Sequence, residues 1–528
     1  MQRIKIDNPS DDRYSDYLKD SSLLQGRADE IVFCHNTKDV VNIINECSKK
    51  HSKITIQGAM TGICGGGVPY GGCVFNMSQM DGILGMRYDE GRTEFYLKVQ
   101  PGLSLKDLNN LLKSKSIDTS HWPADDIEVY KIFKSSAAKF FPPDPTESTA
   151  TIGGMVACDA SGASSFKYGS TRNFVEGLRI VTLSKEEVHI KRGQYQYKDI
   201  NQLFDTNNLL PDWHHNNENL KDVAGLYCKD EMDLIDLFIG SEGLFGVITE
   251  VELKLMDAPQ IKMGLMLFLN EGNKLIEFID WLRNEMNAAA IEYFDKNTLE
   301  LLGCFRNLKR EIADLPGIAD EYRGGLYLEF HLAGEEGLED LLAQLFNNLN
   351  DFGINEDEQW LALEPSDFEK LKDFRHAVPE CVNIRIGDLK LIVPEINKVG
   401  TDMAVPDIYL KDVLEMYRKD IKNNNLNRII FGHIGNNHLH VNLLPEDLNS
   451  YNASRQMVSS WADRVVEWGG TVTAEHGIGR LKEELLKQMM SKEDLDSMRV
   501  IKKIIDPSGL INHGVLLDSE SKGGFDGI

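Results

Sequence analysis

The segment FGHIGNNHLHVN (431–442) carries His433, His438 and His440, three of the chain's 13 histidines. His433 precedes a turn at Gly435-Asn436-Asn437. Side chains alternate along an extended strand, so His438, His440 and Asn442 share one face, and Leu439 and Val441 take the other. A hairpin-like turn brings His433 back towards His440. Two neutral imidazoles converging in this way suit zinc or a similar divalent ion. A hydrogen-bonded histidine pair in a polar strand is the competing reading. A second segment, GGTVTAEHGIGRLK (469–482), sets Glu475 beside His476. Neighbours on an extended segment point apart, so one can ligate metal while the other faces a substrate. A carboxylate beside two imidazoles completes a His–His–Glu set with coordination positions left open, as catalysis requires. A Glu-His pair among glycines is also ordinary loop composition.

Glycine supplies the other chemistry. ITIQGAMTGICGGGVP (54–69) runs from a strand into a loop with glycines at 58, 62, 65, 66 and 67. Such a loop exposes backbone N–H groups that can cradle a pyrophosphate. It is neither G-x-G-x-x-G nor G-x-x-x-x-G-K-[ST], so the Rossmann and P-loop fingerprints are both missing, and a plain glycine-rich turn stays open. Three more segments are rich in glycine or small residues: PPDPTESTATIGGMVACDASGASSFKYGSTRNFVEGL (142–178), with Lys167 and Arg172 nearby, KDVAGLY (221–227) and IGSEGLFGVITE (239–250).

The elements that must position these residues change character along the chain. The first half alternates short β-rich runs with glycine turns: IVFC, ITIQ, FYLKVQPG, RIVTL and GVITEVELKLM, with a helix-like TKDVVNIINECSKK between the first two. After about residue 258 longer helical patterns appear, NKLIEFIDWLRNEMNAAAI and LEDLLAQLFNNLNDF, mixed with strands such as GLYLEFHLAG. The reading is α+β, with a first domain over 1–257, a second over 258–518 and a frayed tail over 519–528. The polar, Asn- and Asp-rich stretch 191–220 reads as a surface insertion.

At 528 residues the chain buries large cores without disulfides or structural metal. Its formal net charge of −26 argues against nucleic acid or an anionic membrane surface as the main partner. The 8 cysteines show no C-x-x-C and no framework spacing, which fits a reducing compartment. The charged start MQRIKIDNPSDDRYSDY lacks a signal-peptide core, and no apolar run approaches a bilayer span. The expectation is a cytoplasmic protein, with peripheral association at the inner membrane left open.

Taken in order, these segments resemble the FAD-linked oxidases of the vanillyl-alcohol oxidase (PCMH) type, specifically the D-2-hydroxyacid dehydrogenase branch. The likeness spans roughly residues 28–517. It implies a two-subdomain FAD-binding domain, then a substrate and cap domain with an antiparallel sheet and a C-terminal segment returning to the flavin. By that resemblance Gln57, Gly58, Ala59, Met60, Thr61, Gly62, Gly66, Gly67 and Val68 wrap the FAD pyrophosphate. Pro143, Asp144, Thr149, Gly153, Gly154, Ala157, Ser161, Gly162, Tyr168, Gly169 and Thr171 line the rest of the flavin, with Gly243, Val247, Ile248 and Asn512 completing it. The sequence departs from the family at Met155, usually Asn, and at Ser161, usually Gly. The first loop has no residue where relatives attach flavin covalently, so FAD is expected to be non-covalent.

The resemblance also assigns roles in the second half. His433, His440 and Glu475 become metal ligands, for zinc or alternatively Fe2+ or Mn2+, and His476 the general base. DFRHAVPE (373–380) resembles the segment whose arginine binds the substrate carboxylate, which is Arg375 here. Lys398 and Thr401, in NKVGTDMAVPD, are placed near the substrate, as is Asn442. The family commonly has Asp-Gly-Asn where this chain has Asn436-Asn437-His438, so His438 has no family role and is kept as a substrate-side candidate. The implied reaction moves a hydride from C2 of a small D-2-hydroxy acid to flavin N5, with D-lactate in the lead and D-2-hydroxyglutarate and glycolate as alternatives. Electrons then pass to a quinone, cytochrome or electron-transfer flavoprotein, and a homodimer is compatible with the reading. A metal-free flavin oxidase of an alcohol or sugar is the main competitor.

Overall fold

The computed structural model describes residues 1–7, 12–211, 220–229, 231–306, 313, 317–356 and 359–517. The expected tail at 519–528 and residues 212–219 of the expected insertion lie outside them. Three sheets organise the chain. The first contains β1 (Gln2–Lys5), β2 (Glu30–Phe33), β3 (Ile54–Gln57) and β4 (Cys73–Asn76) in the order β1-β2-β4-β3. β2 and β3 run parallel to β4, and β1 is antiparallel at the edge. The helix Thr37–Lys50 makes the crossover from β2 to β3; Asn36 caps its start and it buries Val40, Ile43, Ile44 and Cys47. That i, i+3, i+4, i+7 spacing is the stripe a surface helix needs.

The second sheet is antiparallel: β5 (Ile83–Asp89), β6 (Glu94–Val99), β8 (Val175–Val181), β9 (Val188–Lys191) and β10 (Val247–Asp257) in the order β5-β6-β10-β8-β9, with β7 (Lys139–Phe140) pairing to β10. Val251, Leu253 and Leu255 face its core at alternate positions of β10, while Val247 joins the core of the first sheet. Beyond β9 the chain is not wholly superficial, because Ile200, Leu203 and Phe204 are buried in the main core.

The third sheet takes its strands from residue 261 onward: β11 (Ile261–Leu269), β12 (Ala288–Asp295), β13 (Gly324–Leu332), β14 (Gln359–Ala362), β15 (Val399–Gly400), β16 (Asn427–Gly432) and β17 (His440–Leu444), ordered β14-β11-β13-β12-β16-β17-β15. Every pairing in it is antiparallel. Both faces of its central strands are buried. Met266, Phe268, Phe294 and Tyr327 pack on Phe368, Leu371 and Phe374 of the long helix Pro365–Ile392. Leu265, Leu267, Ile291 and Leu328 join Phe278, Ile279 and Leu282 of the helix Leu275–Glu285 on the other side.

One expectation fails here. The pattern ending NEMNAAAI was read as helical, but the helix stops at Glu285 and AAAIEYFD forms β12. Alanine favours helix, yet every residue of β12 is buried between β13 and β16, and tertiary pairing overrides local preference. The end of the chain returns to its beginning. Ile511 bridges to Ile54 at the open edge of β3. Asn512 N–H donates to Ile54 O at 2.8 Å.

Candidate active site

The antiparallel pairing of β16 with β17 sets Phe431 opposite His440. The connecting turn, Ile434–Asn436, ends on Asn437 at a φ of 53°. Arg283, from the helix Leu275–Glu285, pins this turn by donating to Gly435 O at 3.1 Å and Ile434 O at 2.8 Å. The hairpin thereby brings His433, His438 and His440 together. Ring centroids lie 5.3 Å apart for His433–His438, 5.5 Å for His433–His440 and 4.4 Å for His438–His440.

The loop carrying Glu475 and His476 is held from outside. Glu242, from the glycine turn before β10, accepts from Ile478 N and Gly479 N at 2.7 Å each. A Cβ on Gly479, whose φ is +56°, would sit 2.0 Å from Cys64 O, so only glycine fits. Glu475 then reaches the histidines, with His433 Nε2 3.2 Å from its Oε2. His440 Nε2 lies 3.8 Å and His438 Nδ1 4.0 Å from the same oxygen. One ligand atom from each of His433, His438, His440 and Glu475 falls within 4.8 Å of all the others. This is a donor set a divalent ion fits. The other Glu475 oxygen faces the first half of the chain. It accepts from Ser161 Oγ at 3.1 Å and Gly162 N at 3.3 Å, and Lys221 Nζ pairs with it.

His476 points away from Glu475, as adjacent residues should. Its ring stacks on His440 with centroids 5.3 Å apart, and its Nδ1 lies 3.2 Å from Asp402 Oδ1. Asp402 Oδ2 accepts from Lys482 Nζ at 2.6 Å and from the His476 N–H at 3.0 Å. Arg375 is 7% exposed and donates from Nε to Glu292 Oε2 at 3.1 Å. The other Glu292 oxygen is 2.6 Å from His433 Nδ1. One carboxylate therefore separates the expected carboxylate clamp from the histidine cluster.

The electrostatics follow from burial opposed by partners. Burial works against ionising Glu292, but Arg375 and His433 hold its carboxyl down at about 2. Glu475 stays well below the usual carboxylate range because His433 and Lys221 outweigh burial, and Asp402 does so because of His476 and Lys482. His438 is pushed down to about 4 by burial despite Asp402. His440 falls well below 6.5 through burial and the other imidazoles. Both are neutral at physiological pH, the form that ligates metal.

The glycine segments meet on the other side of Glu475. The Gly65 and Gly67 N–H groups turn to the buried Asp20 carboxylate, while no other backbone N–H from Gly58 to Gly66 donates to an acceptor among the described residues. Donors left free in this way call for a ligand. The loop abuts the helix Ile152–Cys158: a Cβ on Gly58 would fall 2.3 Å from Thr151 Oγ1, and one on Gly153 2.5 Å from Pro101 Cβ. Backbone approach this close leaves no room for a side chain at either position. Gln57 ties β3 to the loop by donating to Gly67 O at 2.8 Å. Asp144 bridges to Gly162, and Tyr168 OH lies 2.8 Å from His331 Nδ1.

Some expected contact residues have their polar groups engaged within the protein. Thr171 Oγ1 donates to Ala160 O at 2.6 Å, and Thr149 Oγ1 to Glu147 Oε1 at 2.7 Å. Thr401 Oγ1 donates to Leu439 O and accepts from Val441 N, both at 3.1 Å, so it fastens β17. The Asn512 amide donates to Glu242 O at 2.8 Å and accepts from Ile56 N at 3.0 Å. Val247 is fully buried in the core of the first sheet. Lys398 stands exposed before edge strand β15, with Asn442 opposite Gly400 one strand in. Sequence reasoning missed Glu292, Asp402, Lys221, Lys482 and Glu242. A signal existed for two of them. Glu292 and Asp402 are single charges in apolar runs, AAAIEYF and DMAV, and a buried charge is almost always paired.

Residues 262–516 match the family described as FAD linked oxidases, C-terminal domain, and residues 28–130 and 133–190 match the FAD binding domain family. The chain belongs to the FAD-linked oxidase family. FAD is accordingly the cofactor. This FAD-linked oxidase is 26% identical over 513 residues to D-lactate dehydrogenase of Anaerostipes hadrus, covering 96% of this chain and 93% of that one. It is 24% identical to glycolate oxidase subunit GlcD of Bacillus subtilis, covering 94% and 91%. It is 25% identical to D-2-hydroxyglutarate dehydrogenase of Xanthomonas citri pv. viticola, covering 92% and 88%. Among solved structures, alkyldihydroxyacetonephosphate synthase shares its fold with a TM-score of 0.60 at 15% identity, covering 92% of this chain and 76% of that one. Among the described residues no helix is long and apolar enough to cross a membrane.

Proposed function

We propose that this FAD-linked oxidase is a metal-dependent dehydrogenase of D-2-hydroxy acids, with D-lactate, oxidised to pyruvate, as the lead substrate. The names of its relatives support the substrate class. The observation that carries the reading is the convergence of His433, His438, His440 and Glu475 beside Ser161 and Gly162, with His476 and Arg375 on either side.

In this reading Arg375 grips the substrate carboxylate, since its Nη2 donates to none of the described residues while Glu292 fixes the guanidinium through Nε. His476 takes the hydroxyl proton on its Nε2, with Asp402 orienting the ring from Nδ1. A divalent ion held by His433, His440 and Glu475 would supply Lewis acidity that lowers the pKa of the substrate hydroxyl. FAD, when bound, accepts the C2 hydride, and the protein's part is to align C2 with it and exclude water. The electron acceptor in this reading would be a quinone, a cytochrome or an electron-transfer flavoprotein.

Replacing His476 by Ala tests the base. FAD and metal should stay bound while D-lactate bleaches the flavin roughly 10²- to 10⁴-fold more slowly. Near-normal bleaching would refute the assignment. A panel of D- and L-2-hydroxy acids with an artificial acceptor, with and without chelator, identifies the substrate. One observation favours a metal-free second reading: the Lys221 ammonium already pairs with Glu475. Turnover unaffected by exhaustive chelation would select it.

A further inference from the structure

We propose that His438 is a fourth protein ligand, so that this chain holds its ion with three imidazoles and one carboxylate. The proposal rests on the reading of His433, His440 and Glu475 as a metal site, and it concerns the residue that the family likeness leaves unexplained.

His438 is 0% exposed, and its Nδ1 has no hydrogen-bond partner among the described residues. An imidazole nitrogen deprived of water and of a partner is costly, so a core histidine of this kind is almost always satisfied. Its Nε2 lies 2.9 Å from Asp402 Oδ1. Its Nδ1 is turned to Glu475 Oε2, the oxygen that all three imidazoles face within 4.0 Å.

The arrangement repeats that of His433. There Nδ1 meets the Glu292 carboxylate at 2.6 Å and Nε2 meets Glu475. At His438 the Asp402 carboxylate stands beside Nε2, and Nδ1 is the free nitrogen. A carboxylate behind the far nitrogen is how proteins orient a metal-binding histidine and raise its basicity. Two histidines presented alike to one carboxylate oxygen are better explained by a shared ion than by packing.

The opposite side of Glu475 is closed by the first half of the chain. Ser161 Oγ donates to Glu475 Oε1, which also takes Gly162 N and Lys221 Nζ. Oε1 is thereby engaged by the first half of the chain, with His433 Nε2 also 3.1 Å from it, while His438 and His440 turn to Oε2. Four protein ligands would complete a tetrahedral shell, so substrate oxygens must enter by expansion to five or six ligands. Three imidazoles also favour Zn2+, Co2+ or Fe2+ over Mn2+.

The test uses the full-length, FAD-loaded protein. Zinc X-ray absorption on the unmutated protein counts imidazoles through their multiple scattering, and three are expected. In H438N two are expected, with Co2+ and Zn2+ affinities, measured by chelator competition, lower by roughly 10- to 100-fold. The visible Co2+ spectrum should shift in H438N while flavin absorbance stays intact. Two imidazoles in the unmutated protein, or unchanged affinity and spectrum in H438N, overturns the proposal and leaves the three-ligand site standing. No metal uptake by the unmutated protein overturns both. Because the imidazole count is made on the unmutated protein, a folding defect in H438N cannot obscure the answer.

Discussion

Asp402 serves two histidines with one carboxylate. Oδ1 faces His476 Nδ1 at 3.2 Å and His438 Nε2 at 2.9 Å, while Oδ2 takes Lys482 at 2.6 Å. Replacing it by Asn removes the charge that would orient His476 as the proposed base and leaves the Lys482 ammonium buried without its counter-charge. Losing one partner of a buried pair costs about 3–5 kcal/mol, and losing an orienting carboxylate costs roughly 10- to 100-fold in function. D402N should therefore show both a lower Tm and slower flavin reduction by D-lactate under single-turnover conditions. A variant with unchanged rate would reduce Asp402 to a structural anchor.

At the scale of elements, two features carry predictions. On β13, Tyr327, Glu329 and His331 recur at every second position and so share a face. Glu329 links its neighbours, to His331 Nε2 at 2.6 Å and from Tyr327 OH at 3.0 Å, and His331 continues to Tyr168. Burial opposes its ionisation, yet His331 brings its carboxyl down from 4.5 to about 2. A depressed folded pKa means stability that is fully present above the unfolded value and lost as pH falls through the folded one. The window is therefore pH 4.5 down to about 2, with a contribution on the order of 3 kcal/mol. E329Q should flatten the acid limb of Tm against pH in that window; a limb parallel to that of the unmutated protein would show the charge lies elsewhere. The second feature is the loop after Glu475. Gly479→Ala puts a Cβ against Cys64 O at a φ of +56°. It should cost roughly 1–3 kcal/mol and displace Glu475 and His476. Lower Tm together with lost metal and lost turnover is the expected result, and wild-type behaviour would mean the loop tolerates another path.

For the whole molecule, the site exists only where distant parts of the chain meet. Glu475 from the second half bonds Ser161, Gly162 and Lys221 from the first. The segments proposed to bind FAD thus touch the carboxylate that would bind the ion. Coupling between two such sites is reciprocal. Metal removal should weaken FAD binding by the same factor by which FAD removal weakens metal binding, within the 5- to 150-fold typical of coupled sites. Titrating each ligand with and without the other measures both factors. Independent binding would show that the Glu475 contacts transmit nothing.

The sequence by itself determined the periodic and the local. Alternation fixed β10 and the shared face of His438 and His440, the apolar stripe fixed the helix Thr37–Lys50, and glycine spacing marked the loops beside Glu475 and His476. These features depend on neighbours a few residues away, and such neighbours are written in order along the chain. Tertiary structure alone decided that AAAIEYFD is a strand, that Thr401 and Asn512 spend their polar groups inside the protein, and that Glu292, Asp402 and Lys221 belong to the site. Each of those facts is a contact between segments far apart in sequence: Lys221 and Glu475 are separated by 254 positions. A buried charge is stable only beside its partner, and the fold, not the local pattern, chooses that partner.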